Sequence, residues 1–199
     1  MTGRAAPEPG RLPPTLDQLE RVALDCTQCR LRTGCRQVVF GEGPPASRLM
    51  LVGEGPGATE DELGRPFVGA AGQLLDRILG AVGWSRGQVY ITNVVKCRPP
   101  GNRFPAPDEV AACRPYLEAQ IQLIGPAIIV CLGALATQTL VAANASITRE
   151  RGRWSRRGEQ MVMPTFHPAA LLRDGSKKRP VWDDFQEIRR AFDGLDSTG

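Results

Sequence analysis

The sequence predicts an α/β fold: a three-layer α/β/α sandwich on a central, mainly parallel four-stranded sheet. Three observations lead there. Short runs rich in Val and Ile alternate with longer segments of helical period, as in parallel sheets with crossover helices. The runs RLMLVG and AIIVCLG are apolar without alternation, which suits strands covered on both faces. The chain has 199 residues, enough for one domain with a full core.

Residues 1–14 (MTGRAAPEPGRLPP) combine Pro and Gly with little to bury and are expected to be a disordered leader. A single domain is expected over 15–193, with a short tail at 194–199. Thr15 and Gln18 resemble a capping box for the helix TLDQLERVALD. A cysteine-bearing loop follows, then the strand RLMLVG at 48–53. In GAAGQLLDRILGAVGW, Leu74, Leu75, Ile78, Leu79 and Val82 share one helical face. QVYITNVV reads as the next strand. PDEVAACRPYLEAQIQLIG opens on Pro and acids and closes on Gly125, as a helix should. AIIVCLG is a strand, GALATQTLVAAN a helix, EQMVMPTF the last core strand and PVWDDFQEIRRAF the last helix. Ligands of such sheets bind beyond the carboxyl ends of the strands, here the loops beginning GEGPG, TNVVKC, LGA and FHPAA.

Hydrophobic residues make up 42% and charged residues 23%. The longest apolar run is too short to span a bilayer and no stretch reads as a secretory signal, so a cytoplasmic protein away from membranes is expected. Net charge is +4, and nine Arg or Lys stand against three Asp or Glu between Arg149 and Arg179. Guanidinium forks suit phosphate oxygens, so this segment is a candidate nucleic-acid face. Arg-rich coding in a GC-rich genome would explain the excess equally well, though not its clustering.

Six cysteines occur, at 26, 29, 35, 97, 113 and 131. Cys26 and Cys29 form a C-x2-C pair, and Cys97 and Cys113 form a second, distant pair. Four thiolates from two pairs can enclose zinc or an iron–sulfur cluster. Spacing alone does not select four of the six. Cys131, inside an apolar strand, is most simply a buried inert thiol, and Cys35 is placed outside the set.

LMLVGEGPGATEDELGRPFVG is the richest stretch. Gly53, Gly55, Pro56 and Gly57 form a close-approach loop, and Gly53, Gly55 and Ala58 match the loose dinucleotide pattern G-x-G-x-x-A. Pro56 removes an N–H, the next clear helix is expected only near Gly69, and Glu60, Asp61 and Glu62 would repel a pyrophosphate. His167, the sole histidine, follows a strand and precedes Pro168 at a predicted helix start. A helix N-terminus there favours neutral imidazole.

Taken together, GEGPG-x2-ED, GRPFVG, ITNVVKCRPPGNR-x-P-x2-DE-x3-C and HPAALLR resemble, in order, the motifs of family 4 uracil-DNA glycosylases. The resemblance runs from about Cys26 to Phe185. It implies hydrolysis of the bond between uracil and deoxyribose in single- or double-stranded DNA, the first step of base-excision repair, by a monomeric enzyme without a lysine Schiff base.

Carried over by residue, the resemblance makes Cys26, Cys29, Cys97 and Cys113 the ligands of a structural 4Fe–4S cluster. Phe67 stacks on the flipped base, and Asn93 reads it. An amide that accepts from uracil N3–H and donates to O4 mismatches cytosine. His167 donates to the departing uracil oxygen. Glu54 activates water or stabilises the cationic sugar, although sister families carry Asp where this chain has Gly55. Glu60 closes the pocket against the methyl of thymine, and Asn102 braces the PPGNR loop. Leu171 is the wedge that fills the gap left by the base, and Arg173, Lys177, Lys178 and Arg179 meet phosphates. Two rivals make different use of these residues. A DNA-binding protein with a structural metal leaves Glu54, Asn93 and His167 unexplained, and a nucleotide-binding oxidoreductase lacks an intact fingerprint. A glycosylase of broader range, acting on hypoxanthine or xanthine, is a nearer alternative.

Overall fold

The computed structural model describes residues 13–196. Five strands form one sheet: β1 (Leu49–Gly53), β2 (Tyr90–Asn93), β3 (Ile128–Leu132), β4 (Ser155–Arg157) and β5 (Gln160–Thr165), in the order β2-β1-β3-β5-β4. The first four in that order are parallel, and β4 pairs antiparallel with β5. The predicted sandwich is therefore present with one strand more than expected. That strand, SRR, is three residues of polar, partly exposed edge, so it carries no apolar signature.

Nine α-helices accompany the sheet among the described residues: α1 (Leu16–Leu24), α2 (Leu31–Gly34), α3 (Ala58–Leu63), α4 (Ala70–Ala81), α5 (Pro107–Ile124), α6 (Ala134–Leu140), α7 (Ile147–Glu150), α8 (Pro168–Arg173) and α9 (Lys178–Asp196). Thr15 caps α1 by accepting from the Gln18 N–H at 3.3 Å. α9 continues through Asp196, so the expected domain end at 193 falls inside a helix. Most of the expected leader, residues 1–12, and the tail residues 197–199 lie outside the described residues.

Every residue of β1, β2 and β3 is buried, as the unbroken apolar character of β1 and β3 requires, and in β2 this includes the polar Thr92 and Asn93. One core lies on the side of α1 and α5, gathering Leu19, Tyr116, Leu117 and Ile121. The other holds Leu75 and Leu79 of α4 with Val181, Phe185 and Ile188 of α9. Because β1 lies between β2 and β3, the chain reverses direction across the sheet there, and the strand ends open a crevice at that switch point.

Candidate active site

A cavity of about 590 Å³ occupies that crevice, a size suited to a small ligand. Glu54 after β1, Asn93 at the end of β2, Gly133 after β3 and His167 after β5 all line it. Gly53 is a packing requirement. A Cβ there would lie 2.4 Å from Asn93 Oδ1 and 2.5 Å from Phe67 Cζ. Gly55 is similar, with Val95 Cγ2 at 2.7 Å from a notional Cβ. Pro56 and Gly57 complete this wall.

A helix, α3, starts directly after Gly57, which corrects the expectation that the next clear helix begins only near Gly69. Its six residues are too few for a periodic signal. The Glu60 carboxylate is buried and accepts the N–H groups of Gly57 (3.1 Å), Val68 (2.9 Å) and Gly69 (2.8 Å). It thus occupies the donors a pyrophosphate would need, which counts against the dinucleotide reading even though a helix does follow the glycines. Glu60 also lines the cavity, so its position agrees with a pocket wall while its oxygens hold the loop.

Phe67 is buried with φ 52°, in the left-handed region where a bulky side chain is strained by about 1–3 kcal/mol. Arg86 holds it there. Its guanidinium donates to Phe67 O at 2.9 Å and to Pro66 O, and pairs with Glu42. Gly72 is required beneath, since a Cβ would fall 1.8 Å from Phe67 O. The Phe67 ring stacks on His167, with centroids 5.4 Å apart at 28°.

His167 caps α8, and its Nδ1 accepts the Ala169 N–H at 3.1 Å. With Nδ1 accepting, the ring proton sits on Nε2. Burial, aided by Arg173, lowers the imidazole from its ordinary value to about 4, so the ring is neutral at neutral pH. Gly133, at φ 96°, gives the ring its place: a Cβ would lie 3.0 Å from His167 Cβ. Burial raises the Glu54 carboxyl above the ordinary carboxylate range, with Arg173 opposing. The Asn93 side chain is 1% exposed, and its Oδ1 is buried with no hydrogen-bond partner. Such an orphan acceptor costs about 1–3 kcal/mol unless a ligand pairs with it.

Asn102 lines the cavity at φ 54° and accepts from Arg98 Nε at 2.8 Å. Arg103 beside it pairs with the buried Glu109 at 2.6 Å. Arg173 reaches the cavity wall. Leu171 differs from expectation. It is 3% exposed, packed in the α4–α9 core, while the neighbouring Leu172 is 50% exposed. A helix of six residues has too little period for sequence to say which leucine faces out. The basic segment is also partly spoken for. Arg151 pairs with Asp184, Arg157 with Glu118, Lys177 with Asp174 at 2.9 Å and Arg179 with Asp183 at 3.0 Å. Lys178 is exposed.

Cys26, Cys29, Cys97 and Cys113 line a second, apolar cavity together with Lys96 and Tyr116. Among the described residues, no three His, Cys, Asp or Glu side chains converge as on a single metal ion. The donor set nonetheless fits a larger thiolate-bound group. The Lys96 N–H donates to Cys113 Sγ at 3.2 Å, as backbone amides do to ligating sulfurs, and the buried Tyr116 hydroxyl lies against Cys26. Without such a group, burial pushes the Cys113 thiol up to about 11. Cys35 shares a hydrogen bond with Cys97 but does not line the cavity, and Cys131 is fully buried in β3.

The model of the Uracil DNA glycosylase superfamily matches residues 40–187. The chain belongs to this superfamily. Among its relatives, the type-4 uracil-DNA glycosylase of Thermotoga maritima is 49% identical over 170 residues, covering 82% of this chain and 88% of the relative. The type-4 enzyme of Sulfurisphaera tokodaii is 44% identical over 184 residues, covering 88% and 84%. A type-5 uracil-DNA glycosylase of Thermus thermophilus is 35% identical over 119 residues, about half of each chain. The superfamily match spans every residue named above as lining the strand-end cavity, from Glu54 to Arg173.

Phe166, Gly133 and Arg103 also line the cavity, although no motif or spacing assigns them a role there. A glycine after a core strand was the one available sign of Gly133. Nothing in spacing linked Arg86 to the carbonyl of Phe67, nineteen residues earlier. No helix among the described residues is long and apolar enough to cross a membrane.

Proposed function

We propose that the protein is a monofunctional uracil-DNA glycosylase that hydrolyses the N-glycosidic bond of deoxyuridine in DNA and so begins base-excision repair. The observation that carries this reading is the orphan acceptor, Asn93 Oδ1, beside a stacked aromatic ring in the strand-end cavity. Uracil N3–H supplies the missing donor, and the flat base lies against Phe67. Water attacks C1′, the C1′–N1 bond breaks, and uracil leaves as an anion. His167 Nε2–H donates to the oxygen that gains this charge, which neutral imidazole can do without giving up its cap on Ala169. Glu54 holds the water, faces the cationic sugar and takes the proton that water releases.

Incubation with an end-labelled oligonucleotide carrying one uracil, followed by alkali, tests the reading. Strand cleavage confined to the uracil is expected, and no cleavage would overturn it. Because burial raises Glu54, activity should fall on the acid side at a pH above the ordinary carboxylate range. In Glu54→Gln that acid limb should disappear from the pH–rate profile.

The four thiolates Cys26, Cys29, Cys97 and Cys113 would hold a 4Fe–4S cluster, supported by the apolar cavity and the type-4 relatives. Bound there, it supplies a covalent tie between loops. Cys97 and Cys113 flank the segment carrying Asn102 and Arg103, so the tie fixes one wall of the pocket. Cys97→Ala should lose the visible absorption of the cluster and lower the melting temperature together. Retention of both would contradict this ligand set.

DNA lies across the cavity mouth, where Arg173 and Lys178 meet phosphates. The exposed Leu172, in place of Leu171, fills the gap left by the flipped base. Leu172→Ala should slow uracil release about tenfold from duplex and little from single strands, read by parallel single-turnover assays. A monomer acting in the cytoplasm completes the proposal.

A further inference from the structure

Lys96 is 2% exposed, and neither the hydrolysis nor the thiolate set uses its side chain. Its Nζ donates to Thr92 Oγ1 at 2.6 Å, Asn93 O at 2.7 Å and Gln120 Oε1 at 2.6 Å. Each of these acts as an acceptor. Two are carbonyl oxygens, and Thr92 Oγ1 spends its own proton on Phe40 O at 2.8 Å. Nζ is thus the common donor that ties these three oxygens together. Gln120 is held in turn, because its Nε2 donates to Phe40 O at 2.9 Å and Tyr90 OH at 3.1 Å. The network is thus satisfied and rigid, and it grips the backbone carbonyl of the residue whose side chain faces the base.

The same residue is tied at its other end. The Lys96 N–H donates to Cys113 Sγ, and Cys97 follows directly in the chain. We propose that Lys96 is a positioning residue for base recognition, its Nζ pinning the Asn93 carbonyl while its backbone is anchored to the cysteine cavity. The order of the thiolate loop is thereby passed to the Asn93 amide. This rests on the reading of Asn93 as the group that pairs with uracil N3–H.

The test uses Lys96→Met, which keeps length and volume but leaves no donor, and Thr92→Val, which removes one acceptor and leaves the lysine. Both are compared with the unaltered protein in single-turnover release from deoxyuridine and N3-methyldeoxyuridine oligonucleotides. Abasic-DNA affinity, cluster absorption and melting temperature are read alongside. Lys96→Met is expected to lose about tenfold in rate on deoxyuridine and about tenfold in discrimination against the N3-methyl base. Abasic-DNA affinity should stay within about twofold, since the DNA face is unaltered. Thr92→Val should shift discrimination the same way by less, and it decides the matter if Lys96→Met does not fold. A rate loss with unchanged discrimination, or unaltered rates in both variants, would overturn the proposal. If the unaltered protein itself releases no uracil, the glycosylase reading fails instead.

Discussion

His167→Ser is expected to slow uracil release about 100- to 1,000-fold, the cost of losing one preorganised donor to a developing oxyanion. The fold should survive, because serine also caps a helix and the ring packs against Phe67 without filling a core. The loss should fall on the chemical step, with abasic-DNA affinity nearly unchanged. The same substitution should alter stability with pH. The unfolded chain protonates His167 near pH 6.5, whereas the folded chain does so only near 4. Between those values the unfolded state binds more protons, so this residue lowers stability as pH falls from about 6.5 to 4. The full effect is on the order of 3 kcal/mol. Denaturant melts at pH 7 and pH 4 should show a smaller acid loss in His167→Ser, and an identical loss would mean the ring is not buried neutral.

Gly53→Ala should be nearly as damaging to activity. Its Cβ would meet Asn93 Oδ1 and the Phe67 ring at about half an ångström under the closest real contacts. Both atoms are side-chain ends that can move, so the expected cost is displacement of the base-pairing amide and the stacking ring rather than unfolding. Release should fall at least about 100-fold, since a 1 Å misplacement has that effect on oriented reactants. The melting temperature should fall only slightly. Gly72→Ala makes the contrast. There the obstacle is the Phe67 backbone, so the fold itself should suffer.

The sheet and its large helices were legible because β1 and β3 are apolar throughout and α4 repeats its leucines with helical period. What escaped had no apolar signature. β4 is three residues with two arginines, and α3 is a short acidic turn whose Glu60 turns inward to backbone N–H groups. Asn93 stood out because it ends a buried strand, where a polar group must find a partner or a ligand, and His167 because the sole histidine lies between a strand and Pro168. Leu171 and Leu172 could not be told apart, and the grips of Arg86 on Phe67 and of Lys96 on Asn93 depend on contacts that no spacing rule encodes.

On the proposed function, the pocket reads uracil by pairing its N3–H with the orphan oxygen of Asn93. Single-turnover release from otherwise identical oligonucleotides, one carrying deoxyuridine and the other N3-methyldeoxyuridine, tests it most directly. Release from deoxyuridine at least about 100-fold faster is predicted, because the methyl group removes the donor and leaves a buried acceptor unpaired. Equal rates would contradict the account.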